Sequence, residues 1–413
     1  MEIDLLIENA SELLPINSKN RPLMGKDFKD LEIIENAYLA VKDKKIVGVG
    51  KKDILKDFFI TANTKIINAE GKTVLPGFVD CHTHLVFAGS REHEFVGRIE
   101  KSRNPHGATM GSGIKFTVSK TREAEKQELI NIAQKRLKRM LNNGITTIEA
   151  KSGYGLDFEN EMKILEVIND LKKIQKVEIE TTFLGAHSVP EGHTPESYTD
   201  IVINEMLPHV VKNKSARFCD VFCEKGFFSY EQTEKILSKA KDAGMLLKLH
   251  ADQLNDSDAA ELAAKLGVIS ADHLDHAKDE GIKSMAKKAV VGVLLPSISF
   301  TLDIAYPNAQ KMMEFGLPIA LSTDFNPGAG YSEAISLVLS LACIKMKLLP
   351  IEAIACATLN AAYACGRGHD LGSLEIGKQA DIIILDAPNH RYIPYHYGIN
   401  LVEKVIKKGE VVV

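Results

Sequence analysis

The chain lacks the compositional marks of disulfide-rich and nucleic-acid-binding proteins. It has no tryptophan, only six cysteines in 413 residues, and 51 basic residues balanced by 55 acidic ones. So few thiols, spread along so long a chain, do not form a disulfide framework, and we expect them to be reduced. A net charge of −4 gives no broad basic surface for nucleic acid or anionic lipid. A small-molecule partner is therefore expected, without nucleic acid.

Long apolar runs and secretion signals are missing as well. No stretch approaches the roughly 18 consecutive apolar residues that a membrane-spanning helix requires. The first residues, MEIDLLIENA, are acidic rather than basic and precede no long apolar segment, unlike a secretory signal. We therefore expect a cytoplasmic location and no membrane association.

What the chain does contain is 45% hydrophobic residues, enough for one large core or two modest ones. Both ends read as strands and glycine turns, as in NAYLAVKDKKIVGVG and GSLEIGKQADIIILD. Neither end has enough strands for a stable sheet of its own. We expect residues 1–72 and 369–413 to combine into one small β-sandwich domain, flanking a larger domain at 73–368.

The middle of the chain alternates short apolar runs with amphipathic segments such as EKQELINIAQKRLKRMLNNG, which is typical of an α/β protein with a parallel sheet. Eight βα units predict a (β/α)8 TIM barrel, in which the first connection, residues 85–122, is a long loop. The predicted strands are 74–84, 145–151, 177–187, 217–224, 245–251, 268–274, 290–297 and 318–325.

The predicted strands end in side chains suited to metal binding and catalysis, where a barrel enzyme carries its chemistry. Side chains alternate along a strand, so His82 and His84 point together into the barrel mouth and Thr83 points away. A lone HxH pair is also compatible with a strand cap and a core histidine. The strand ends are His82 with His84, Lys151, His187, Glu224, His250, His273, Pro296 and Asp324.

His82, His84, His250 and Asp324 form a set of nitrogen and oxygen ligands suited to one divalent ion, Zn²⁺ or Fe²⁺. Such an ion can lower the pKa of a bound water to near neutrality and so provide a nucleophile for a carbonyl group. Asp324 is the candidate to accept its proton. His273 is the next candidate for acid–base catalysis or carbonyl polarisation.

Several further positions are candidates for substrate binding. Arg91 can grip a carboxylate through its guanidinium, although a loop arginine is more often a solvated charge. Tyr154, between two glycines, is equally compatible with packing on the rim. His187 is a candidate for polarising the substrate carbonyl or a satisfied core histidine, and the NPG segment at 326–328 offers an amide or only a tight turn.

Seven characteristic blocks occur in the order PGFVDCHTHLVFAGSREHEF, KSGYGL, TFLGAHSVP, DVFCEKGFFS, KLHADQL, AELAAKLGVISADHL and ALSTDFNPG. Together they resemble the imidazolonepropionase family, metal-dependent amidohydrolases of histidine degradation. The resemblance implies hydrolysis of the ring amide of 4-imidazolone-5-propanoate to N-formimidoyl-L-glutamate, and a homodimer.

The resemblance also implies roles for individual residues. The metal ligands would be His82, His84, His250 and Asp324, and His273 would act in catalysis. The residues implied around the substrate are Arg91, Tyr154, His187, Gln253, Asn326, Gly328 and the position of Ala329. The chain departs from the family at Cys81, where proline is common, and at Ala329, where a serine hydroxyl is lost from the substrate shell.

Three alternative functions share parts of this sequence pattern. Related deaminases generally carry a glutamate where this chain has Gln253, and an amide cannot shuttle protons. A non-catalytic scaffold is expected to lose metal ligands, and all four are present. A two-metal hydrolase bridged by a carboxylated lysine needs that lysine on strand four, whereas Lys151 is on strand two. These features favour a single-metal hydrolase.

Overall fold

The computed structural model describes residues 1–103 and 113–413, which form a barrel and one further sheet. The strands of these residues are β1 Leu5–Leu13, β2 Ile34–Lys42, β3 Lys45–Gly50, β4 Lys65–Asn68, β5 Thr73–Pro76, β6 Phe78–Asp80, β7 Ile145–Lys151, β8 Glu178–Ala186, β9 Phe218–Cys223, β10 Leu246–Ala251, β11 Ser270–His273, β12 Val291–Leu294, β13 Ile319–Leu321, β14 Ile382–Leu385, β15 Val402–Lys407 and β16 Glu410–Val411.

Helices surround the barrel strands and connect them. They are α1 Glu92–Arg103, α2 Ile114–Glu123, α3 Lys126–Asn142, α4 Phe158–Ile174, α5 Pro195–Ile201, α6 Leu207–Asn213, α7 Tyr230–Asp242, α8 Ala259–Leu266, α9 Asp279–Lys287, α10 Pro296–Leu302, α11 Ala309–Glu314, α12 Ile335–Ile344, α13 Pro350–Ala355, α14 Ala361–Ala364 and α15 Tyr392–Tyr395. Short 3₁₀ helices span Gly25–Asp30 and Lys52–Asp57, and π-helical segments Val202–Met206 and Cys356–Asn360 continue α5 into α6 and α13 into α14.

Strands β6 to β13 lie side by side in chain order, and each pair of neighbouring strands is parallel. The two ends of this sheet meet just beyond the strands, where Thr83 pairs with Phe325. Below that bridge the buried carboxylate of Asp80 accepts hydrogen bonds from the Thr323 amide at 2.9 Å and the Thr323 hydroxyl at 2.7 Å. The predicted (β/α)8 barrel is confirmed.

The first βα connection differs from its prediction. Residues 85–122 were expected to form a loop, but α1 and most of α2 lie within them. Helix α1 begins with Glu92 and Glu94 and ends with Lys101 and Arg103, charges that favour a helix through its dipole. Residues 104–112 of the predicted loop lie outside the described residues.

The second sheet brings the two ends of the chain together. Its strand order is β16-β15-β14-β5-β1-β2-β3, and β4 pairs with β1. Buried side chains from both ends, such as Leu39, Val74 and Ile384, form one apolar cluster. The prediction of a small β domain built from both ends is confirmed. The domain boundaries stay a prediction, and β5 pairs within this sheet although its residues fall in the range predicted for the barrel.

The passage from the small sheet into the barrel takes place at Gly77, between β5 and β6. A Cβ atom at this position would lie 2.4 Å from the Thr146 side chain on β7, closer than any real contact. Glycine is therefore required here because the Thr146 side chain occupies the space that a Cβ atom would need.

Two features of the described residues bear on the predictions of reduced cysteines and of no membrane association. All six cysteines are free thiols, and only Cys343 is more than marginally accessible. In the described ranges no helix combines the length and apolar character that crossing a bilayer requires.

Candidate functional site

The four predicted metal ligands lie together at the barrel mouth, and all four are buried. Oδ1 of Asp324 is 3.5 Å from Nε2 of His82 and 3.7 Å from Nε2 of His84. The rings of His82 and His250 have centroids 4.5 Å apart. Ligand atoms within 4.8 Å of one another occur in three overlapping groups, His82 with His250 and His273, His84 with His187 and His250, and His82 with His84 and Asp324.

The chemistry of this cluster fits a cation. Nε2 of His82 and Oδ1 of Asp324 are buried, and neither has a hydrogen-bond partner among the described residues. Burial lowers the pKa of His82, His84 and His250 well below the ordinary value and raises the pKa of Asp324 well above it. The imidazoles are therefore neutral donors of electron pairs, and a bound cation would favour the ionised carboxylate and satisfy both orphaned atoms.

His82 and His84 follow the end of β6 rather than lying within it, as the longer predicted strand had placed them. The segment stays extended because the His82 amide donates to Ser322 Oγ at 2.8 Å and the His84 amide donates to the Phe325 carbonyl at 2.8 Å. The Thr83 hydroxyl donates to the Glu149 carbonyl at 2.6 Å. The side chains of His82 and His84 therefore keep the predicted alternation with Thr83, although these residues lie after the end of β6.

Two buried carboxylates that sequence reasoning missed orient the histidines. Asp272 Oδ2 is hydrogen-bonded to Nδ1 of His82 at 2.7 Å. Asp220 Oδ1 accepts from the His250 main-chain amide at 3.2 Å, and its Oδ2 lies 3.0 Å from Nδ1 of His250 without hydrogen-bond geometry. Carboxylates in this position fix the tautomer of a metal-ligating histidine and leave its Nε2 free. The available signal was a single acidic residue inside the apolar strands FCDVFC and ISADHL.

His273 stands beside the cluster, with Nε2 4.0 Å from Asp324 Oδ2. Burial lowers the pKa of His273 to about 3, so the ring is neutral. Both residues have left-handed backbones, with φ of 82° at His273 and 46° at Asp324. Such conformations are uncommon outside glycine and cluster at functional sites.

A cavity of about 350 Å³ opens directly above the cluster. Every residue that the sequence suggested for substrate binding lines it, namely Arg91, Tyr154, His187, Gln253, Asn326, Gly328 and Ala329. Apolar side chains, including Phe222, Phe227 and Ile298, complete the wall. The structure thus brings the predicted residues together, while their individual roles remain predictions.

Glu161 holds the loop that carries Tyr154, a role that sequence reasoning missed. This buried carboxylate accepts hydrogen bonds from the amides of Gly153 at 3.0 Å, Gly155 at 2.7 Å and Leu156 at 2.9 Å. Burial raises the pKa of Glu161, while these donors favour its ionised form. The Gly153 carbonyl in turn lies 2.9 Å from Nδ1 of His187. One carboxylate therefore positions both candidate substrate residues.

Glycine is required at position 153 for two reasons. Its φ is 114°, and a Cβ there would lie 2.9 Å from Cβ of His187. The His187 ring stacks on that of His84 with centroids 4.9 Å apart. Burial lowers the pKa of His187 to about 4. His187 is therefore a neutral ring facing the cluster.

Two arginines lie at the same end of the cavity. Arg91 donates through Nε and Nη2 to Glu94 Oε2, at 2.9 and 2.6 Å, so much of its charge is balanced. Arg98, which sequence reasoning missed, donates to the Gly328 carbonyl at 3.3 Å. Within the described ranges no carboxylate lies within 4.0 Å of its guanidinium. This end of the cavity therefore carries a net positive charge.

Asn326 and Gln253 are placed differently. The Asn326 side chain accepts from the amides of Gly328 at 2.7 Å and Ala329 at 3.0 Å and donates to the Asp324 carbonyl at 2.7 Å. Its amide is therefore engaged in shaping the loop. Gln253 lines the cavity beside Leu254, whose amide donates to a buried carboxylate, Glu224, at 2.8 Å.

Solved structures of similar fold are distant in sequence. They include an adenosine deaminase with bound zinc from Xanthomonas campestris, with a TM-score of 0.71, 17% identity, and coverage of 99% of this chain and 93% of that one. An atrazine chlorohydrolase from Arthrobacter aurescens, complexed with zinc, has a TM-score of 0.73, 16% identity, and coverage of 99% and 95%. At such identities the likeness establishes the fold alone.

Sequence comparison is more specific. The amidohydrolase family model matches residues 73–412. An imidazolonepropionase of Alkaliphilus oremlandii is 46% identical over 100% of this chain and 99% of its own length. Another, from Caldanaerobacter subterraneus subsp. tengcongensis, is 48% identical with the same coverage. Because the match spans the whole chain and nearly the whole of each relative, the chain belongs to the imidazolonepropionase family of amidohydrolases.

Proposed function

We propose that the protein is an imidazolonepropionase, which hydrolyses the ring amide of 4-imidazolone-5-propanoate to N-formimidoyl-L-glutamate. The observation that carries this proposal is the polarity of the cavity, with the histidine cluster at its floor and two arginines at one end. The substrate carries the two matching groups, since its ring carbonyl is separated from its propanoate carboxylate by one ring carbon and two methylene groups. The names of the relatives support the same activity.

We infer that His82, His84, His250 and Asp324 hold one divalent ion, zinc or ferrous iron. The ion would supply an activated water and polarise the substrate carbonyl. Three neutral imidazoles and one carboxylate are a suitable set for either metal. The buried orphaned atoms at His82 and Asp324 support this assignment.

The residues of the chain would bind the substrate and move its protons. Arg91 would pair with the propanoate, and Tyr154, His187 and Gln253 would bound the ring. Water adds to the carbonyl carbon, the C–N bond of the ring breaks, and the ring nitrogen takes up a proton. Asp324 accepts the proton from water, and His273, 4.0 Å away, lies within reach of the same reacting atoms.

The proposed number of metal ions per chain follows from the contacts of Lys151. Lys151 cannot easily serve as a carboxylated bridge between two metals, because its Nζ already donates to Asp220 at 2.7 Å and Glu149 at 2.8 Å. One metal per chain is therefore proposed. The resemblance also implies a homodimer. Elemental analysis combined with light scattering would test both numbers.

A hydrolysis assay tests the activity. Purified protein, as isolated and after chelation, is mixed with freshly prepared 4-imidazolone-5-propanoate, and loss of substrate and formation of formimidoyl-glutamate are followed. We expect turnover that chelation abolishes and that one equivalent of zinc or ferrous iron per chain restores. Metal-loaded protein without turnover on this substrate would refute the proposed reaction.

A further inference from the structure

A fully buried lysine lies beneath the proposed metal centre and contacts three carboxylates there. Nζ of Lys151, on β7, is 2.7 Å from Asp220 Oδ2, 2.8 Å from Glu149 Oε1 and 3.4 Å from Asp272 Oδ2. All four side chains are 0% exposed. An isolated ammonium group in such a place would be costly, so its position demands an explanation.

The carboxylates that surround Lys151 also orient the histidines. Asp272 Oδ2 is shared between Lys151 and Nδ1 of His82. Asp220 accepts from Lys151 through Oδ2 and from the His250 main-chain amide through Oδ1, and its Oδ2 lies 3.0 Å from Nδ1 of His250. Each histidine is thus connected to the same ammonium group through one carboxylate. Burial opposes the charge of Lys151, but the three carboxylates raise its pKa well above the ordinary value. The ammonium form therefore persists.

We propose that Lys151 is a positioning residue that fixes Asp220 and Asp272 and thereby aims Nε2 of His250 and His82 at the metal. One rigid donor located between two carboxylates prevents either from rotating away from its histidine. Without it, the two buried carboxylates would face each other with less compensating charge, and each would be free to turn away from its histidine. The two imidazoles would then lose their common alignment.

A second buried lysine offers a matched control. Lys248 on β10 is also 0% exposed and also contacts Glu149, at 3.3 Å. Its Nζ, however, donates to the main-chain carbonyl of Cys81 at 2.9 Å, and it is 4.0 Å from Asp272. Among the described residues, no hydrogen bond or ion pair connects it with Asp220, on which it acts only through its charge. Removing Lys248 therefore deletes a comparable buried charge while leaving the contact between Asp220 and His250 in place.

The experiment compares Lys151→Met with Lys248→Met in the full chain. Circular dichroism of the metal-free proteins establishes folding, competition with a chromophoric chelator gives the Co²⁺ affinity, and the visible spectrum reports the ligand geometry. Loss of an outer partner of a ligand typically weakens metal binding by about 10- to 100-fold. We expect such a loss and an altered spectrum for Lys151→Met, and nearly unchanged values for Lys248→Met. If Lys151→Met does not fold, Lys151→Gln replaces it and carries the same expectation, because the shorter and neutral amide cannot bridge both carboxylates.

This inference rests on the metal centre proposed above, and its failure is distinguishable from failure of that centre. Wild-type protein that binds no Co²⁺ would refute the centre itself. Wild-type affinity and spectrum in folded Lys151→Met, or equal losses in both lysine variants, would overturn only the role of Lys151. Asp220→Asn should change the spectrum in the same direction as Lys151→Met, since it breaks the same contact from the other side.

Discussion

Replacement of Glu161 by alanine tests how the cavity wall is built. The carboxylate accepts hydrogen bonds from three backbone amides, at 3.0, 2.7 and 2.9 Å. Each buried N–H group left without an acceptor costs about 1–3 kcal/mol. Water entering the vacated space offsets part of that sum, so we expect the free energy of unfolding to fall by about 4 kcal/mol.

The same change should impair the site. Tyr154 belongs to the loop that Glu161 holds, and Gly153 fixes His187, so both candidate substrate contacts become less ordered. We expect KM to rise about 10-fold, equivalent to roughly 1.4 kcal/mol. Urea unfolding of metal-loaded protein measures the first effect, and steady-state hydrolysis of 4-imidazolone-5-propanoate measures the second.

Glu166→Ala is the matched control, because it is the same substitution on the same helix. The Glu166 side chain is 63% exposed and pairs with Lys126 at 2.9 Å, a surface contact worth about 0–1 kcal/mol. If the two variants differ in unfolding free energy by less than about 1 kcal/mol, Glu161 does not hold the loop as described.

Three further outcomes are expected. Chelation should lower the melting temperature of the protein, because a metal present at 1,000 times its Kd stabilises the folded state by about 4 kcal/mol; differential scanning calorimetry measures the shift. Arg91→Gln should raise KM about 10- to 100-fold with a smaller effect on kcat, since a charge-assisted contact to the substrate carboxylate is lost; steady-state kinetics measure both. Asp27→Asn should destabilise the protein by about 2 kcal/mol at pH 6 and very little at pH 2. Burial raises the pKa of Asp27, but Arg21, the Met24 amide and Lys19 together lower it from 3.8 to about 2, so its contribution is complete above pH 4 and is lost as the pH falls towards 2; urea unfolding at several pH values measures the difference.

Each of these outcomes has its own control. Readdition of metal should restore the melting temperature, and an unchanged temperature after complete chelation would contradict a site that stabilises the fold. Arg139→Gln removes a surface arginine paired with Glu333 and should leave KM unaltered. Asp30→Asn removes a 66% exposed partner of Lys19, so a pH dependence equal to that of Asp27→Asn would contradict the assigned cause.

The sequence revealed the barrel and the ligands because both depend on local patterns. Each barrel strand is a short apolar run, and the strand ends of a barrel converge whatever lies between them. The sequence indicated no role for Asp220 and Asp272, because their surroundings depend on tertiary structure and not on a local pattern. A carboxylate inside a strand reads the same whether it faces solvent or the barrel interior, and only the closed sheet shows that both meet Lys151 and the histidines.

Helix α1 shows a different limit of sequence reasoning. Periodicity detects a helix through one buried apolar stripe, but Glu94 is the only buried residue of α1, and Phe95, Val96 and Ile99 are about half exposed. The only sequence signals at its two ends are acidic residues in the first turn and basic residues in the last turn. Glu161 was missed for a related reason, because its partners are backbone amides five to eight residues earlier, which have no side-chain signature.

The crossing at Gly77 has a consequence for the order of events during biosynthesis. Strand β5 runs directly into the strand that precedes His82, yet its antiparallel partner is β14, at residues 382–385. A nascent chain therefore carries the first two histidines for some 300 residues before the partner of β5 has been translated. Contacts so distant along the chain form late and slowly. The small sheet can therefore be completed only after the barrel strands, the last of which is β13 at Ile319–Leu321, have been translated.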